Sequence, residues 1–324
     1  MKKSSVIKIV SVVCVLIVVV ITLFICFFFV NNKIKCKGGL DINKKNNTLI
    51  AKNDEIKILQ ISDTQFASVE EAPKALDVVQ QVVNKSNPDM IVLTGDNISD
   101  NSTLKTAQHL VKFMDSFKLP WALVFGNHDY NAVVPPKDLS DLYEDSKYCI
   151  YKTGSIENSY GNYTYTIERE NRSIYSLIFM DSGKTGFDKK HVDWYENEIN
   201  KQTLSNNNKV VNSMVFFHIP LEELNSAYDL FLEDSSIGSG VKNEAFCVQS
   251  TNVGLFNKAV ELGSTKAFVY GHDHINNLVL NYNGIKLCYG LKSGRTSYFY
   301  DTMQGGNLYT ITENNEIKID RIYI

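Results

Sequence analysis

Met90-Ile91-Val92-Leu93-Thr94-Gly95-Asp96-Asn97 is the stretch from which the architecture of the chain can be read. The uncharged run Met90 to Thr94, rich in aliphatic and β-branched residues, predicts a strand buried on both faces, as in a parallel sheet covered by helices. It stops at Gly95, and a carboxylate follows at once. In open α/β sheets ligands bind beyond the carboxyl ends of strands, so Asp96 is a candidate functional group.

The flanking sequence repeats this arrangement. Upstream, Ile56 to Ser62 predicts a strand ending at Asp63, and Ala75, Leu76, Val79, Val82 and Val83 then recur at helical spacing. Downstream, Leu104, Ala107, Leu110, Val111, Met114 and Phe117 form a second helical stripe before a strand from Trp121 to Phe125. Strand, helix, strand, helix, strand implies parallel βαβ units. Strands follow at Tyr163 to Glu168, Ser173 to Met180, Lys209 to Phe217 and Lys266 to Tyr270, with an amphipathic helix from Asp188 to about Leu204. Asn283-Gly284, between Leu278 to Tyr282 and Ile285 to Tyr289, signals a two-residue hairpin. The expected fold is α/β, also classed as α+β: a four-layer αββα sandwich of two mixed sheets flanked by helices.

Five strand ends carry ligand atoms: Asp63-Thr64-Gln65, Gly95-Asp96-Asn97, Gly126-Asn127-His128-Asp129, His218, and Gly271-His272-Asp273-His274. Four of the six histidines fall in these segments. One Gly-Asp or Gly-His pair alone is an ordinary turn; five in register are a site. Glycine before Asp96, Asn127 and His272 permits tight backbone geometry and close approach to bound ions. His109 and His191 lie in helical stretches and read as structural or surface residues, and Arg295 reads as a surface or ion-pair residue. Asp129 and Asp273 read as residues that orient ligands.

In order and spacing over residues 56 to 274, these segments resemble the calcineurin-like metallophosphoesterase superfamily. Phe216-Phe217-His218-Ile219-Pro220 and Leu287-Cys288-Tyr289-Gly290 resemble its purple-acid-phosphatase-like branch. The resemblance implies two divalent metal ions, Mn, Fe or Zn: one on Asp63, Gln65 and His274, the other on Asn127, His218 and His272, with Asp96 bridging. It implies a water shared by both metals as nucleophile, and His128 as the catalytic residue beside the phosphate or leaving group. A shared carboxylate is a natural way to hold two dications about 3.5 to 4 Å apart.

Two positions depart from the family pattern. Gln65 stands where the family offers histidine, and an amide oxygen is a weaker, harder ligand. Ser99 stands where purple acid phosphatases place a tyrosine ligand, so no ferric-tyrosinate colour is expected.

The implied function is a metal-dependent phosphoric ester hydrolase, a phosphomonoesterase acting on a small-molecule phosphate ester or a phosphoprotein. The alternatives are a phosphodiesterase or pyrophosphatase on nucleotides or lipid head groups, and a non-catalytic surface binding protein. Substrate selection is expected in variable loops, notably 131–151 and 225–250.

The chain has 324 residues, 44% of them apolar and 21% charged, enough to bury a large core. A net charge of -3 leaves no basic excess for a nucleic-acid partner. Residues 9–30 are uncharged over 22 positions, long enough to span a bilayer. The run ends Phe27-Phe28-Phe29-Val30, unlike the small-residue end of a cleaved signal peptide. Its reading is a transmembrane anchor after a short flank, 1–8, followed by a polar stalk, 31–53, and a catalytic domain, 54–324. Lys2, Lys3 and Lys8 before the run are matched by Lys33, Lys35 and Lys37 after it, so charge gives no asymmetry, and it is the very short flank that favours a single-pass protein of the cell membrane with an extracytoplasmic catalytic domain. Cys36, Cys149, Cys247 and Cys288 have no C-x-x-C spacing and allow either disulfides or free thiols.

Overall fold

Three short strands open the folded chain: β1 (Lys33–Ile34), β2 (Leu40–Asn43) and β3 (Thr48–Ala51). The computed structural model describes residues 33–324, so the segments read as flank and anchor, 1–8 and 9–30, lie outside the described residues. Among the described residues no helix is long and apolar enough to cross a membrane. Over its described part, 33–53, the expected stalk is corrected: Leu40, Ile42 and Leu49 are fully buried, and β3 pairs in parallel with β7 (Tyr163–Arg169). Four-residue strands set among Asn and Lys are too short for their alternation to stand out in sequence.

The βαβ units form as the pattern predicts. β4 (Ile56–Ile61), β5 (Met90–Thr94) and β6 (Trp121–Val124) are parallel, joined through helices Asp77–Ser86 and Leu104–Ser116. Thr103 caps the second helix. β14 (Gly305–Ile311) and β15 (Ile317–Tyr323) add antiparallel on the other side of β4, giving a five-stranded mixed sheet in the order β15-β14-β4-β5-β6.

The second, ten-stranded sheet is also mixed. Its order is β1-β2-β3-β7-β8-β9-β11-β13-β12-β10, with β8 (Arg172–Phe179), β9 (Ser213–Phe216), β10 (Gly238–Ser239), β11 (Thr265–Tyr270), β12 (Val279–Tyr282) and β13 (Ile285–Tyr289). Positive φ at Asn283 and Gly284 turns the β12–β13 hairpin where the Asn-Gly signal places it.

Alternation along the central strands separates two cores. Leu177, Phe179, Met214, Phe216, Ala267 and Val269 join the core that holds the β4–β6 sheet and its helices. Ile178, Val215, Phe217, Phe268 and Tyr270 face the other way, onto helices Lys189–Ser205, Glu223–Glu233 and Leu255–Leu262. The fold is thus two mixed sheets flanked by helices. Two segments read as loops contain helices instead, Pro136–Asp145 within 131–151 and Glu223–Glu233 overlapping 225–250. Both carry apolar residues at helical spacing, Leu139, Leu142 and Tyr143 in the first and Leu224, Ala227, Tyr228 and Phe231 in the second, so the signal was present in the sequence.

Candidate metal centre

The carboxyl ends of β4, β5, β6, β9 and β11 bring the five segments together. Asp63, Gln65, Asp96 and His272 all hold positive φ, a region non-glycine residues seldom occupy. That shared strain marks a backbone bent to aim side chains inward. Glycine is needed where those side chains press on the chain: a Cβ at Gly126 would lie 2.2 Å from Asp96 Oδ1, and one at Gly95, with φ +92°, 2.4 Å from His218 Nδ1.

Two groups of donors converge. Asp96, His218 and His272 offer atoms within 4.8 Å of one another, and so do Asp63, Asp96 and His274. Asp96 belongs to both. Asn127 joins the first group, its Oδ1 lying 3.1 Å from His218 Nε2. These six side chains are the part of the expected ligand set that the structure draws together.

The imidazoles are set by main-chain carbonyls. His218 Nδ1 lies 2.9 Å from Thr94 O, and His274 Nδ1 lies 3.0 Å from Tyr298 O. A carbonyl only accepts, so each Nδ1 carries the hydrogen and each Nε2 presents its lone pair. His218 Nε2 then faces Asp96 Oδ1 at 3.3 Å, and His274 Nε2 faces Asp63 Oδ1 at 3.7 Å. In both places acceptors meet acceptors, which only a cation or an added proton reconciles. Burial alone would lower His218, but Asp96 and Asp63 outweigh it and push the imidazole up to about 10. Asp96 is correspondingly held below the ordinary carboxylate range, His218 and His128 overcoming the opposing effect of burial. His272 goes the other way, down to about 4, through burial and the adjacent His218 charge.

Gln65 is beside the group, but its amide oxygen accepts from Lys292 Nζ at 3.1 Å. The expected ligand is therefore already engaged. Ser99 donates to Gln65 O at 2.6 Å and so clasps the two loops together. His128 stands at the rim, its side chain about a third exposed, with Nδ1 2.6 Å from Asp100 Oδ1 and Nε2 3.8 Å from Asp96 Oδ2.

Asp129 accepts from Gly126 N, Asn97 N, Asn97 Nδ2 and Ile98 N, stapling the β5 loop to the β6 loop. Burial and nearby Asp96 push its carboxyl up to about 7. Asp273 accepts from Tyr289 OH and Asn276 Nδ2, which anchors the loop carrying His272 and His274. His191 closes a capping box with Asp188, His109 leans on Phe66, and Arg295 donates to Gln304 and approaches Asp77. The four described cysteines are free thiols.

Sequence reasoning missed Asp100, Lys292 and Tyr298, whose ring stacks on His274 at 4.3 Å between centroids. Lys292 had a signal, an ionisable residue just past the run Leu287 to Leu291; Asp100 had only its place four residues after Asp96. Tyr298 had none.

The profile of the calcineurin-like phosphoesterase family matches residues 56–276, more than half of the chain. A "probable inactive purple acid phosphatase 29" of Arabidopsis thaliana is 26% identical over 291 residues, covering 76% of this chain and 74% of that protein. "Phosphatase DCR2" of Saccharomyces cerevisiae is 30% identical over 245 residues, covering 67% of this chain and 42% of that one. A solved dimetal phosphatase from Danio rerio shares the fold with a TM-score of 0.51 at 14% identity, covering 79% of this chain and 95% of that chain. The chain belongs to the calcineurin-like phosphoesterase family and is a metal-dependent phosphoesterase.

Proposed function

We propose that this chain is a phosphomonoesterase working with two divalent ions, held at the cell membrane by residues 9–30 with its catalytic part on the extracytoplasmic side. The observation that carries the catalytic reading is the pair His218 and His274, each with Nδ1 committed to a carbonyl and Nε2 turned to a carboxylate. Nitrogen and oxygen donors without a thiolate fit Mn, Fe or Zn. Asp63, Gln65 and His274 would hold one ion, Asn127, His218 and His272 the other, and Asp96 both. Bound there, the ions would supply Lewis acidity toward the phosphate oxygens and acidify a water.

The chain's own residues position and protonate. Asp100 accepts from His128 Nδ1, which fixes the ring with Nε2 toward the cleft. From there His128 can hold a proton for the leaving oxygen of the ester, the role of a general acid. The monoester preference draws on relatives named phosphatases. Hydrolysis of p-nitrophenyl phosphate and of its bis-ester by the purified protein, screened with Mn2+, Fe2+ and Zn2+, tests it. Faster turnover of the monoester is expected; a diester preference moves the function to the phosphodiesterase alternative.

A second reading, a non-catalytic binding protein, is favoured by one contact, the Lys292 ammonium on Gln65 Oε1. Three Arabidopsis relatives are named probable inactive. No metal-stimulated hydrolysis in the same screen would select that reading. Membrane orientation is tested by protease treatment of intact cells, where cleavage of residues 33–324 is expected and protection reverses the assignment.

A further inference from the structure

Lys292 is the only fully buried lysine among the described residues. It follows β13, and the main chain there runs beside the end of β4: Ser62 and Lys292 form an isolated parallel bridge, and Ser293 N donates to Ser62 O at 2.8 Å. That register slides the lysine side chain beneath the Asp63–Gln65 loop. Its Nζ donates to Asp63 O at 2.8 Å and to Gln65 Oε1 at 3.1 Å. It also acts electrostatically on Asp63, Asp96 and His274, the three residues of one donor group.

An ammonium is costly to bury unless acceptors surround it, and here one of the two, Gln65 Oε1, is a group that would otherwise serve a metal. The two halves of the centre therefore differ. At Asp63 and His274 a positive charge is built in and one lone pair of Gln65 is taken. At Asn127, His218 and His272 no lysine or arginine among the described residues makes a hydrogen bond to any of the three.

We propose that Lys292 sets the two halves apart by weakening cation binding at the Asp63–His274 half, so that metal loads stepwise and reaches this half second. The proposal rests on the two-metal reading above. Like charges repel most strongly where water is excluded, so removing this one acts on the nearer ion first.

The test is titration of metal-free, full-length protein in detergent with Mn2+, followed by calorimetry. Wild type is expected to bind in two steps of unequal affinity. Lys292→Gln keeps a polar end near Asp63 O and Gln65 Oε1 but removes the charge, Lys292→Met removes both, and Lys292→Arg keeps the charge. In the Gln and Met variants the weaker step should tighten by about tenfold or more while the tighter step stays within about threefold. The Arg variant should keep the weaker step weak.

A weaker step that is unchanged or loosened in Lys292→Gln overturns the proposal, as do two equal steps in wild type. Loss of the folded circular-dichroism signal in both neutral variants, even with Mn2+ present, makes Lys292 a structural residue and overturns it too. A wild-type protein that takes up no Mn2+ removes the two-metal reading itself, an outcome distinct from two steps that ignore the substitution.

Discussion

His128 Nδ1 lies 2.6 Å from Asp100 Oδ1, and the contact leaves Nε2 as the end of the ring that faces the cleft. If Asp100 acts through His128, the two residues form one unit, and their losses cannot add. His128→Asn should lower kcat by about 10²-fold or more, the usual worth of a positioned proton donor, and Asp100→Asn by about tenfold. The double variant should be no slower than His128→Asn alone. Multiplicative losses in steady-state assays on p-nitrophenyl phosphate would separate the pair.

Gly126 has ordinary φ, so backbone strain does not dictate its identity. Space does, because a Cβ there would sit 2.2 Å from Asp96 Oδ1. Gly126→Ala should push the shared carboxylate aside and cost metal occupancy at both halves with the fold kept. Metal analysis beside circular dichroism checks this, and an alanine variant with full occupancy would count against the packing argument.

Ile42 is fully buried in a segment whose composition reads as a solvated stalk. Ile42→Ala should cost about 3 kcal/mol, in the range for deleting a buried aliphatic side chain. By the same argument a fragment 54–324, lacking β1 to β3, should be markedly less stable in denaturant than a fragment 33–324. Equal midpoints would show that the three strands are passengers.

The metal-free His218 imidazole is raised to about 10 because Asp96 and Asp63 stabilise its charged form against burial. A proton on Nε2 and a metal compete for one lone pair, so at neutral pH metal uptake must expel that proton. Mn2+ affinity should therefore rise with pH from about 6 toward 10. Calorimetry in buffers of different ionisation enthalpy should register proton release at pH 7. An affinity flat in pH with no released proton would contradict the protonated His218 of the metal-free protein.

Much of this centre is legible in sequence because its parts are local. Each donor follows a short β-rich apolar run, whose length and flanking residues read as a buried strand, and the topology of parallel strands collects their carboxyl ends on one edge. Asp63, Asp96, Asn127, His218, His272 and His274 converge for that reason. What sequence hid is non-local. Lys292 reaches Gln65 only because Ser62 and Lys292 run side by side, a register between two sheets that no periodicity records. Asp100 falls near His128 through the approach of two loops, and β1 to β3 are too short and too polar in their setting to announce a strand. The N-terminal apolar run at 9–30 was equally plain in sequence, but it lies outside the described residues.

One carboxylate, Asp96, is assigned to two ions. Counting Mn per chain in wild type and in Asp96→Asn, after equilibration with excess Mn2+ and removal of free metal, tests that assignment. Two per chain in wild type, falling to one or none in Asp96→Asn with hydrolysis lost, is the predicted result. Fewer than one per chain in wild type, or an Asp96→Asn variant that keeps both ions and near-normal turnover, would contradict it.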